Sequence, residues 1–134
     1  MKSWYFMVFS MIVFLLMPWW GVEAWAGELK LGEAVACLDV IDRMPKGQAK
    51  EFPATVKRIF CYTVIEGGKE PAEVAHVWKY KNKRLLEIRL PVRSMKWRTW
   101  SQKNILSNQV GPWTVEIIDT SSNTIMGTVE FSVK

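Results

Sequence analysis

His76 is the only histidine among 134 residues, so any acid–base or nucleophilic mechanism built on imidazole has to use it. Ser101 is a candidate nucleophile only if His76 reaches it, and no G-x-S-x-G turn surrounds it. Asp39 and Asp42 are close in sequence, whereas glycosidase chemistry needs two acids converging across a cleft, and the other carboxylates are scattered singly. Cys37 and Cys61 form no C-x-x-C pair, and the lone histidine lies fifteen residues beyond Cys61. That spacing fits no metal site. No catalytic constellation, metal or cofactor is therefore expected. The alternative is a hydrolase-like enzyme using His76 with Ser101 or a carboxylate. What separates the two is geometric: an enzyme needs His76 at the floor of an open cleft, and a binding module lets it be buried and hydrogen-bonded.

Recognition is the better chemical reading. Between residues 76 and 103 nine basic side chains (Lys79, Lys81, Lys83, Arg84, Arg89, Arg93, Lys96, Arg98 and Lys103) stand against Glu87 alone, a local charge of +8. The rest of the chain from Gly27 onward carries −3, so the excess is concentrated, which points to an anionic partner. A solvated strand face is the alternative. Within the segment Arg89, Arg98, Trp100 and Lys103 are the candidate binding residues, because arginine matches carboxylate and phosphate geometry and an indole offers a flat apolar face.

The start of the chain sets the compartment. Met1-Lys2-Ser3 is cationic, residues 4–20 carry no charge, and Ala24-Trp25-Ala26 has the small-x-small form that a signal peptidase requires. Seventeen residues interrupted by Pro18 are at the lower limit for a membrane span. The expectation is a signal peptide and its helix over 1–26, followed by a single domain over 27–134 exported to the periplasm. An inner-membrane anchor through residues 4–20 is the alternative, and it is the only membrane contact expected. Export argues against nucleic acid as the partner. It also suggests that Cys37 and Cys61 pair as a disulfide, which would stabilise the fold by about 3 kcal/mol.

The elements that must position these residues read as strands. No segment keeps a helical period, and most alternate with period two between turn-rich stretches at 44–50, 66–72, 82–84 and 120–123. Seven strands are expected, near 34–40, 54–65, 73–81, 85–92, 95–105, 113–119 and 125–133. That spacing suggests an all-β, antiparallel, immunoglobulin-like sandwich. Val74, His76, Trp78 and Tyr80 share one face of the third strand; Leu86, Ile88, Leu90 and Val92 share one face of the fourth. Ile125, Val129, Phe131 and Val133 do so in the last. The second strand has apolar residues on both faces, as a central strand packed on both sides would.

Pairing can be pushed further. A three-residue loop, Asn82-Lys83-Arg84, would set Lys79 opposite Glu87 on the outer face. A tight turn at Arg93-Ser94 would set Trp97 opposite Leu90 inside and Arg89 opposite Arg98 outside. Two facing guanidinium groups are destabilising unless an anion or partner lies between them. A pairing of the first two strands centred near Ala49 would put Cys37 opposite Cys61.

His76-Val-Trp78, Trp97-Arg98-Thr-Trp-Ser101-Gln-Lys103, Gly111-Pro-Trp113-Thr-Val115 and the closing Phe131-Ser-Val133, approached through Pro45, Phe52 and Phe60-Cys-Tyr62, resemble the bacterial domain of unknown function 2914. The resemblance runs over nearly all of residues 27–134. It implies a small bacterial domain, often attached to membrane or envelope proteins, with no activity assigned, and it draws interest to His76, Trp78, Trp97, Arg98, Ser101, Lys103, Gly111 and Trp113. The function expected from all of this is an exported, non-catalytic binding or assembly module of the bacterial envelope. Its basic face would contact a protein or polyanionic partner.

Overall fold

The computed structural model describes residues 28–69 and 71–134; the expected signal peptide over 1–26 lies outside the described residues. Ten strands follow one another with no helix among those residues: β1 (Lys30–Cys37), β2 (Asp39–Ile41), β3 (Met44–Lys46), β4 (Glu51–Phe52), β5 (Arg58–Glu66), β6 (Ala72–Tyr80), β7 (Lys83–Val92), β8 (Lys96–Asn104), β9 (Gly111–Asp119) and β10 (Thr124–Val133). Each of the seven expected segments overlaps a long strand, and the three additional strands are only two or three residues long. The short ones β3 and β4 fall in and just after a stretch that reads as turn-rich.

Three sheets result: β1-β5-β8, β4-β10-β9-β6-β7 and the hairpin β2-β3. All pairings are antiparallel except that of β10 with β4. One apolar core joins the two larger sheets in a sandwich-like arrangement, drawing Ala36, Ile59, Cys61 and Ile65 from the first and Val74, Trp78, Trp113, Val115, Ile117, Phe131 and Val133 from the second. Phe131 is its aromatic hub. It stacks on Trp113 at 6.0 Å and meets Trp78 and Phe52 edge-on at 6.2 and 5.7 Å. Such pairs add about 1 kcal/mol each beyond the area they bury.

β5 is central in its sheet, and residues 59–65 are all buried. One face looks into the core. On the other, Cys37, Phe60, Tyr62 and Val64 form a second apolar cluster with Val35, Val40 and Trp100. The doubly apolar pattern of this strand therefore has the cause that its sequence suggests.

Two expected pairings are corrected. β7 and β8 do not form a hairpin: β7 is the edge of the five-stranded sheet beside β6, and β8 pairs with β5 in the other sheet. Residues 93–95 thus cross between layers. Trp97 lies opposite Ile65, not Leu90, and Arg89 and Arg98 sit on different sheets. β6 and β7 do form a hairpin, but its loop is Lys81-Asn82, both with positive φ (48° and 65°), as in a type I′ turn. A bulge at Trp78/Lys79 sets Trp78 opposite Leu86. This is a two-residue slip from the expected register, so the inward faces survive. Lys79 pairs with Glu116 of β9 and not with Glu87. In β10 a bulge between Ile125 and Gly127 turns Ile125 out to solvent and packs Met126 against the core instead.

Candidate functional site

His76 is fully buried at the middle of β6, and its imidazole is hydrogen-bonded on both nitrogens. Nδ1 lies 2.7 Å from Ser101 Oγ and Nε2 lies 3.2 Å from Thr63 Oγ1. Trp78 Nε1–H donates to Ser101 Oγ at 3.0 Å, and Thr63 Oγ1–H donates to the Thr99 carbonyl at 2.8 Å. These last two bonds determine the rest. Thr63 has used its only proton, so it must accept from His76 Nε2–H. His76 Nδ1 is then bare and accepts from Ser101 Oγ–H. Donation therefore runs one way, from Trp78 through Ser101, His76 and Thr63 to the Thr99 carbonyl, and tethers β6 of one sheet to β5 and β8 of the other. No buried side-chain polar atom among the described residues lacks a partner.

Burial lowers the His76 pKa to about 4, since removal from water penalises the imidazolium, and no carboxylate offsets it. The ring is neutral at pH 7. The structure does bring His76 and Ser101 together, yet both are buried, and the serine oxygen already receives the indole proton. Among the described residues no group of three His, Cys, Asp or Glu side chains could hold a metal ion.

The expected disulfide is not formed: Cys37 and Cys61 are buried free thiols. β1 and β5 do pair, but a bulge between Leu31 and Glu33, around Gly32, shifts the register by one residue. Cys61 then lies opposite Ala36, in the core, and Cys37 lies opposite Phe60, in the outer cluster. A one-residue slip sends two side chains to opposite faces of a sheet. Burial raises the pKa of both thiols, so neither is a ready thiolate.

The four candidate binding residues are divided by the fold. Arg89 lies on the outer face of the five-stranded sheet, 3.3 Å from Glu73 and 3.8 Å from Glu87, where the Lys79–Glu116 and Arg84–Glu87 pairs also lie. Lys103, near the end of β8, donates to the Asn104 carbonyl. Arg98 and Trp100 do meet. With Arg43, Ser94, Lys96 and Trp97 they line a cleft of about 390 Å³ beside β8, an edge strand of the three-stranded sheet. Trp100 is half-buried and stacks on Tyr62 at 6.3 Å with 20° between the planes. Tyr62 Oη–H donates to the Arg43 carbonyl at 2.8 Å, which ties the β2–β3 turn to the same wall. Burial raises the Tyr62 phenol pKa, and the charge of Arg98 partly offsets it. No carboxylate lines the cleft, and Arg43, Lys96 and Arg98 enter no ion pair among the described residues.

Sequence reasoning misses Arg43 and singles out Lys96 only as one member of the basic segment. Arg43 is remote in the chain and arrives through a hairpin whose strands are three residues each. A larger cavity, about 1040 Å³, opens between Leu29, Leu31, Ala72 and Met126. Its lining mixes Glu28, Glu73 and Asp119 with Lys30 and Lys69, so it lacks the single sign of charge of the smaller cleft.

The other singled-out residues have structural work. Trp113 donates its indole proton to the Gln109 carbonyl at 3.0 Å and is buried. Gly111 has φ 121°, a backbone conformation that side chains disfavour. Trp97 packs against the core.

The fold and cleft define a class: an all-β, sandwich-like domain with a sealed histidine network inside and a basic, tryptophan-walled cleft outside. The family model described as Protein of unknown function (DUF2914) matches residues 71–133, and the chain resembles that family. The match begins at the approach to β6 and runs through β10, so it contains every residue from His76 to Trp113 singled out above. Pro45, Phe52, Phe60 and Tyr62 lie outside it. No curated protein matches the chain. Among solved structures it is similar to Pseudomonas fluorescens alkylpurine DNA glycosylase AlkC bound to DNA containing an abasic site analog, with 10% identity and a TM-score of 0.52. The likeness covers 81% of this chain and 31% of the glycosylase chain, and it is one of fold alone.

Proposed function

We propose that this chain is an exported, non-catalytic binding or assembly module of the bacterial envelope, an immunoglobulin-like sandwich of seven principal strands that contacts an anionic partner through the cleft of Arg43, Lys96, Arg98 and Trp100. One observation carries the reading: three cationic residues without carboxylate partners among the described residues line one cleft with a half-buried tryptophan. On the outer face of the five-stranded sheet, by contrast, Arg89, Lys79 and Arg84 are paired with carboxylates. A convergent unpaired set focuses positive potential. The DNA of the glycosylase is not carried over, because a likeness of fold does not transfer a ligand.

The hydrolase alternative rests on the Ser101–His76 contact. Against it, a substrate would have to displace the Trp78 proton from Ser101 and open the core between two sheets. The sealed network supports a structural histidine.

Retention on an acidic polymer tests the reading. Replacing Lys96 and Arg98 by serine should abolish retention at low salt and flatten its salt dependence while the melting temperature holds. Unchanged retention would refute the site. N-terminal sequencing of protein from the exported fraction should begin at Gly27; a start at Met1 with the protein in membranes would favour the anchor over residues 4–20.

A further inference from the structure

Resting on that reading, we infer that the cleft is a saccharide subsite whose ligand is a sugar ring carrying a carboxylate, with Trp100 as its platform and Arg43 as a dedicated recognition residue. The turn that carries Arg43 states its case. Asp42 and Arg43 are the two loop residues of the β2–β3 hairpin and both have positive φ, 51° and 61°. Type I′ turns of this kind favour Asn, Asp and Gly at these positions, because a Cβ costs energy in the left-handed region. Asp42 fits the rule. Arg43 does not, and its backbone would be better served by glycine. Arg43 nonetheless lines the cleft.

Tyr62 organises the rest of the subsite. Its ring backs Trp100 and its hydroxyl holds the Arg43 carbonyl. The indole wall and the backbone of the Arg43 turn are therefore fixed to one another through a single buried side chain. A rigid platform and a cation carried on a tethered turn suit a ligand with a flat apolar face and an acid at its edge. A pyranose ring presents such a face of C–H groups to an indole, and a guanidinium pairs with a carboxylate in a planar fork. The volume of about 390 Å³ is at the small end of clefts that take small molecules, and suits one or two sugar rings better than a broad protein or membrane surface.

Titration of the exported protein with a galacturonic acid oligomer, followed by tryptophan fluorescence and calorimetry, tests this. The comparison ligands are a neutral glucose oligomer of equal length, inorganic phosphate and vesicles of anionic phospholipid. The acidic oligomer should bind at least about tenfold more tightly than any comparison ligand. Trp100→Ala should weaken it about tenfold or more, and Trp100→Phe should retain part of the affinity. Arg43→Gly should weaken it similarly while the melting temperature stays level or rises, a result that a merely structural arginine would not give. A fall in melting temperature for Arg43→Gly would overturn the recognition role. Equal binding of phosphate or vesicles, unaffected by Trp100→Ala, would overturn the saccharide and leave the anion-binding reading standing. No binding to any of these anions, nor to the acidic polymer, would sink both.

Discussion

Acid should destabilise this domain through His76, beginning just below pH 6.5. The folded chain holds the imidazole at a pKa of about 4, against 6.5 for the free side chain. Above pH 6.5 the ring is neutral in both states and contributes no pH dependence. Between 6.5 and 4 the unfolded chain takes up a proton that the folded chain excludes, so stability falls as pH falls and levels off below 4. A difference of this size is worth about 3 kcal/mol, a large part of the roughly 5–15 kcal/mol that stabilises a typical domain. The slope cannot exceed about 1.4 kcal/mol per pH unit for one proton. Urea unfolding at half-unit steps from pH 7.5 to 4.5 would measure it, with His76→Gln as the reference that lacks the group. The interval from pH 6.5 to 5 is the one to read, since ordinary carboxylates add little there. Equal slopes for the two proteins in that interval, or a His76 titration midpoint near 6.5 by NMR, would refute the sealed, neutral ring.

Two further outcomes follow from the same geometry. Ser101→Ala removes the acceptor of the Trp78 indole and the donor to His76 Nδ1 together; with two buried groups left unpaired it should cost about 2–5 kcal/mol in urea unfolding, whereas a cost under about 1 kcal/mol would mean that the chain of bonds is not formed. Cys37 and Cys61 should both react with a thiol reagent in urea without reductant and resist it in the native protein, and a native mass two protons short would contradict their placement on opposite faces.

Faces were legible in this sequence, and partners were not. Period-two alternation places His76, Trp78, Leu86 and Leu90 on inward faces because each strand has one buried side. It is silent about which strand lies alongside. Three residues between β7 and β8 are as good for a hairpin turn as for a crossing between layers, so Arg89 and Arg98 look like neighbours and are not. Bulges do the remaining damage. The one between Leu31 and Glu33 leaves only a glycine as its trace, and the one between Ile125 and Gly127 likewise. The error's parity decides its cost: two residues between β6 and β7 changed no face, and one residue between β1 and β5 separated the cysteines. Arg43 could have been noticed as a basic residue beside Asp42 within a possible two-residue turn. Its meeting with Arg98 needs the tertiary structure.

β8 shows why a polar network belongs in this core. Its inward positions are Trp97, Thr99, Ser101 and Lys103, and its outward positions are Lys96, Arg98, Trp100 and Gln102. Each face carries one tryptophan and polar companions, so hydrophobicity scarcely distinguishes them. Apolar patterning that sets register elsewhere is weak here. The hydrogen bonds supply the missing preference. If β8 slipped by one residue against β5, Ser101 and Thr99 would leave the interior, and His76 Nδ1 and Trp78 Nε1 would stay buried without partners. Arg98 would meanwhile be forced inward, where its charge has no counterion. Buried unpaired groups of this kind cost about 1–3 kcal/mol each, and a buried charge more. The same slip would remove Trp100 from its stack on Tyr62 and dismantle the cleft. The buried histidine thus acts on the surface site without touching it: by holding Ser101 inward, it holds Arg98 and Trp100 outward, beside Arg43.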